Sequence, residues 1–136
     1  MRIKALSVVA PWGTRIALGE KTREIRSWRP DFVPIERLLI VENSRRLTHS
    51  EDIDPDGRAV AIVRVSDVHE WTPEEAEAEA ACSTFEPGWL AWTIEHAQAI
   101  VHPFRVVAAR RIYELEIPDD LLISSGASQI TAHEAG

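Results

Sequence analysis

At 136 residues the chain has room for one domain with a hydrophobic core and too little for two ordinary ones. Its 45% apolar and 27% charged residues exclude a fibrous or disordered chain. The net charge of −7 excludes a protein that coats nucleic acid indiscriminately, because such binding depends on neutralising phosphates.

The average charge hides an asymmetry. Residues 1–47 hold ten Lys or Arg against five Asp or Glu and sum to +5, while residues 48–136 hold five against seventeen and sum to −12. Local charge decides what a groove attracts. The basic part therefore suits an anion, and the acidic part permits protein partners.

In chain order, "ALSVV" predicts a short buried strand, and Pro11 fits the first turn of a helix from Trp12 to about Leu18. Gly19 is placed to end that helix as a left-handed cap. "TREIRSW" alternates, which puts Glu24, Arg26 and Trp28 on one face and Arg23, Ile25 and Ser27 on the other. After Pro30 and Pro34, "RLLIVEN" predicts a buried strand, and Asn43 to Arg58 a polar loop. "RAVAIVRVSDVHEW" is apolar on both faces and predicts a central strand. Thr72, Pro73, Glu74 and Glu75 supply a cap, a first-turn proline and acidic groups, so a helix should run to about Cys82. "PGWLAWTIEHAQAI" predicts a strand with Leu90, Trp92 and Ile94 on one side and Trp89 and Thr93 on the other, and Pro103 marks a turn. "RRIYELEI" predicts a strand with Tyr113, Leu115 and Ile117 inward, and "PDDLL" a short closing helix. Residues 1–123 form the expected domain, and 124–136 an expected disordered tail. Strand and helix alternate incompletely, so the fold class is α+β: a small mixed or antiparallel barrel of five to six strands flanked by two to three helices.

The longest apolar runs, around "LLIV" and "AVAIV", fall well short of the roughly 20 residues a spanning helix needs. No membrane partner or secretory leader is expected, and the expected compartment is the cytoplasm. Cys82 is the only cysteine, too few for a disulfide or a zinc cluster, and reads first as a small helix residue. Histidines 49, 69, 96, 102 and 133 are scattered without ligand spacing. No resident metal or cofactor is therefore expected, although a weakly held divalent ion of the kind a nuclease uses stays compatible. "LGEKT" shares residue types with a phosphate-binding loop at the wrong spacing, so ATP binding is unsupported.

The densest chemistry lies in "LGEKTREIRSW", where Gly19, Lys21, Glu24 and Arg26 stand as G-x-K-x-x-E-x-R. This resembles the signature of the ASCH domain, the activating signal cointegrator homology domain. "LSVVAPW" resembles the family's L-S-x-x-x-P-W stretch, and "GWLAWTIEHAQAI" with "HPFRV" resembles its later strands, so the likeness covers most of residues 4–117. The resemblance implies a PUA-like β-barrel with a cleft beside the first helix, lined by Lys21, Glu24 and Arg26. It also implies RNA or a modified nucleoside or nucleotide as ligand. Some members resemble hydrolases, among them ribonucleases and an acetylcytidine amidohydrolase. In the latter a threonine nucleophile is implied at the position of Glu24, and this chain departs from the pattern at that residue.

Lys21 and Arg26 can both hold an anion, the second through a planar fork that matches phosphate. Glu24 lies about 7 Å from Arg26 along the strand and can direct it. Lys21 and Glu24 are also the candidate catalytic residues, as groups able to move a proton. Trp28, with Trp12, offers a face for a base, although Trp12, Trp89 and Trp92 taken singly read first as core. Two simpler readings compete: a Lys-Glu-Arg network that braces the barrel, and a protein-interaction module. If the cleft reading holds, replacing Lys21 should weaken ligand binding more than folding. Four glutamates, Glu74, Glu75, Glu77 and Glu79, can complete a site or be a solvated face, and nothing in the sequence chooses among them.

Overall fold

The computed structural model describes residues 1–49, 51–79 and 84–119. In chain order they form β1 (Arg2–Val9), α1 (Trp12–Ala17), β2 (Arg23–Arg26), β3 (Ile35–Asn43), β4 (Ile53–Glu70), α2 (Pro73–Ala78), β5 (Leu90–Ala109) and β6 (Ile112–Glu116). The six strands make one mixed sheet in the order β2-β5-β4-β3-β1-β6. Only the β1–β3 pairing is parallel.

Alternate side chains of β1 and β3 enter two apolar clusters. Leu6, Val8, Leu38 and Ile40 join one, with Trp92 and Ile16 of α1, whereas Ile3, Ala5, Leu39 and Val41 join the other. Residues of β4 feed both clusters, which is why its sequence is apolar on both faces. A buried Val, Leu or Ile contributes about 1.5–3 kcal/mol, so the paired β3 and β4 supply the larger share of the hydrophobic stabilisation.

The short helices are held by local chemistry. Gly19 adopts φ +79°, a left-handed conformation that lets its N–H reach Ile16 O at 3.0 Å and stop α1. The other end of α1 is tied to β3: the Thr14 N–H and hydroxyl donate to the two Glu42 carboxylate oxygens at 2.7 and 2.9 Å. At α2 a reciprocal capping box forms, with Glu75 N donating to Thr72 Oγ1 and Thr72 N donating to Glu75 Oε1, both at 3.1 Å.

The structure departs from the sequence expectations in four places. Six strands with one parallel pairing fall within the expected five to six strands, mixed or antiparallel, but β2 and β6 are the two ends of the strand order, and no ladder joins them among the described residues. The architecture is therefore a six-stranded mixed sheet with two short helices rather than a closed barrel. Extended structure resumes at Ile53, inside the segment expected to be loop. Pro103 lies within β5, because the ladder with β4 skips from Ala61↔Ala99 to Ala59↔Phe104 and leaves the prolyl residue outside the pairing. α2 ends at Ala78, before the expected end near Cys82. Cys82, the part of the expected closing helix beyond Asp119 and the expected disordered tail lie outside the described residues. No helix among the described residues is long and apolar enough to cross a membrane.

Candidate ligand cleft

β2 pairs only with β5, through Arg23↔Thr93, Glu24↔Trp92, Ile25↔Ala91 and Arg26↔Leu90. Its other edge faces β1 without a ladder. A cleft of about 440 Å³ lies there, lined by Ser7, Glu24, Arg26 and Trp28 together with Trp12 and Trp89, among others. The loop after β3 contributes Arg45 and Arg46, and the corner between β5 and β6 contributes Arg110 and Arg111.

The strand alternation expected from the sequence is present. Glu24 is buried, and its Oε2 accepts from Arg26 Nε at 2.8 Å and lies 2.7 Å from Arg26 Nη2. Arg26 Nη2 also donates to the Ser7 carbonyl at 2.8 Å, so one guanidinium bridges β2 to β1 across the opening. The second oxygen of Glu24 lies 3.6 Å from Lys21 Nζ. Lys21 is buried as well, with a side chain 7% exposed, and it donates to the Arg23 carbonyl. It does not line the cleft. Glu24 thus stands between a buried cation behind it and a half-buried one in front, and each side of the carboxylate is engaged. Such an arrangement lowers the cost of burying charge and fixes the direction of Arg26.

Trp28 and Trp12 both line the cleft. Trp28 packs edge to face against the buried Trp92, with ring centroids 4.9 Å apart at 85°. The Arg111 guanidinium lies 4.3 Å from the Trp28 centroid, and that of Arg15 lies 5.2 Å from the Trp12 centroid. Trp92 is core, as its sequence position suggested. Trp89 is not: it is 36% exposed and stands in the cleft wall.

The candidate acids of α2 sit elsewhere. Glu79 Oε2 accepts from Thr22 Oγ1 at 2.9 Å and lies 3.5 Å from Arg23 Nη1; Glu75 Oε2 lies 3.2 Å from Arg23 Nε. Thr22 and Arg23 are therefore turned to α2, on the side of β2 away from the cleft. Glu75 also meets His69 Nε2 at 2.7 Å, and Asp67 meets His69 Nδ1 at 2.6 Å. The Glu75 hydrogen bond raises the His69 pKa above its ordinary value against the opposing effect of burial, and the Asp67 bond adds to the rise. Burial pushes Glu75 up, but its bonds to His69 and to the Thr72 N–H bring it below the usual carboxylate range.

The sequence reading missed the four arginines of the loops. Their signal was present as two Arg-Arg doublets, each next to a strand end, but a doublet in a loop carries no facing information until the fold brings the loops together. Among the described residues five arginines line the cleft, and Glu24 is the only lining carboxylate. Among the described residues no group of three or more His, Cys, Asp or Glu could hold a metal ion.

The family model of the ASCH domain matches residues 6–106 of the chain. No curated protein matches it.

Proposed function

This chain belongs to the ASCH domain family, a member of the PUA-like superfamily, and from that premise we propose that its cleft binds single-stranded RNA or a nucleotide. The observation that carries the reading is the convergence of five arginines and three tryptophans on one opening whose single carboxylate is already engaged by cations. Arginine forks match phosphate oxygens, and an indole face stacks any base, so the lining suits a ligand that carries both.

Binding is favoured over hydrolysis. A hydrolase needs a group with a lone pair or a proton to give, and Glu24 spends its oxygens on Arg26 and Lys21. The arrangement suits a residue that orients a cation.

Titration of fluorescent single-stranded RNA at increasing salt tests the reading. Affinity should fall on a log-log plot with a slope of about 0.7 per phosphate contacted. Absence of binding to RNA and to mononucleotides overturns it. Cleavage of the RNA during the titration would favour the ribonuclease alternative.

A further inference from the structure

The guanidinium on Trp28 covers an indole in the wall of an arginine-rich cleft. Arg111 sits at the corner between β5 and β6, and its φ of +60° is a left-handed conformation that a side-chain-bearing residue adopts at a cost. Arg110 and Arg111 stand at the corner between the end of β5 and the start of β6, and both line the cleft. No carboxylate pairs with Arg111 among the described residues, and the residue is exposed. Its contact is thus a cation over an aromatic ring at a wet site, which is weaker than a bidentate arginine–phosphate pair.

We propose that Arg111 is an exchangeable cover on Trp28: a phosphate entering the cleft draws the guanidinium off the indole, and the face so uncovered stacks the adjoining base. The proposal rests on the RNA- or nucleotide-binding reading and assigns Arg111 a positioning role within it. One residue then couples two recognitions, because the base platform opens only as a phosphate arrives. An apolar aromatic molecule without a phosphate would have to displace the cation with nothing to receive it. The cleft therefore discriminates phosphorylated, base-bearing ligands from free bases. Trp28 does not depend on Arg111 for its place, since Trp92 packs against it.

The test compares a short single-stranded oligouridylate with the abasic ribose-phosphate chain of the same length, for the wild type, Arg111→Ala and Trp28→Leu. In the wild type the oligouridylate should bind on the order of tenfold more tightly than the abasic chain. Arg111→Ala should lower the salt slope by about 0.7 and weaken the abasic chain, yet keep the base-dependent ratio. Trp28→Leu, which keeps an apolar side chain against Trp92, should remove the ratio and keep the slope; its melting curve checks that it folds. Loss of the ratio in Arg111→Ala overturns the proposal, because the guanidinium itself would then be the stacking surface. An unchanged slope in that variant overturns it too, because Arg111 would not reach a phosphate. Failure of the wild type to bind either chain is a different result: it overturns the binding reading and the cover with it.

Discussion

The two sides of β2 carry charged networks built from alternate residues of one short strand, and they balance charge in opposite ways. On the α2 side, Arg23 and His69 meet Asp67, Glu75 and Glu79, so the carboxylates outnumber the cations and each cation is held by two of them. On the cleft side, Arg26 pairs with Glu24, and four further arginines line the same opening with no other carboxylate among the described lining residues. The first network is closed upon itself and holds a helix to a strand. The second has more cations than the protein neutralises, and that surplus is what an anionic ligand would complete. Ion pairs by themselves therefore do not mark a site; the sign of what is left over does.

The contrast can be broken most severely at Glu24. Glu24→Ala leaves Lys21 buried without its carboxylate and Arg26 without its guide, and should cost about 3 kcal/mol in urea unfolding. A loss within error of zero would mean that the carboxylate serves neither cation. Next comes Arg26→Ala, which removes the bridge to Ser7 and one phosphate donor. It should cost about 1–2 kcal/mol of stability and lower the RNA salt slope by about 0.7. Glu79→Ala acts on the opposite side: loss of its bonds to Thr22 and Arg23 should cost about 1 kcal/mol and leave RNA affinity unchanged. If Glu79→Ala altered affinity as much as Arg26→Ala does, the two sides would not be separate.

The smallest effect is that of pH. His69 has a folded pKa raised above its ordinary 6.5, so its stabilising charge is fully present below about pH 6.5 and is lost as pH rises through the higher folded value. The wild-type melting temperature should fall by about one or two degrees over that window, and His69→Gln should flatten the profile. A wild-type melting temperature that rises over the same window would reverse the sign of this contribution.

The local features of the chain were legible because local chemistry sets them. Gly19, the Thr72 cap and the alternation of Glu24 with Arg26 obey rules of backbone conformation and side-chain direction that need no distant partner. Hydrophobic pattern gave five to six strands, and the incomplete alternation of strand with helix a mixed or antiparallel arrangement; six strands with one parallel pairing fall within that range. Lys21 was harder. The motif groups it with Arg26, but an i,i+3 contact to Glu24 places its ammonium behind the carboxylate, so it acts on the cleft through Glu24 and not as a wall. Arg45, Arg46, Arg110, Arg111 and Trp89 were illegible as a set, since their proximity depends on β1, β3 and β5 assembling in a nonsequential order. The closure expected of a barrel failed for a related reason: hydrophobic pattern gives strands but not which edges pair.

β5 has a mechanical consequence. Its twenty residues would extend about 66 Å if straight, yet Trp89 at its start and Ala109 at its end border the same opening. The strand can return there only by bending, and His96, at φ +52° where the register slips between Gln98 and Glu95, is one of the places where it does so. Both ends of the strand thus reach one opening through curvature set in its middle. Glycine in place of His96 would hold the same left-handed bend without side-chain strain, so the two ends of the strand should keep their place at the opening.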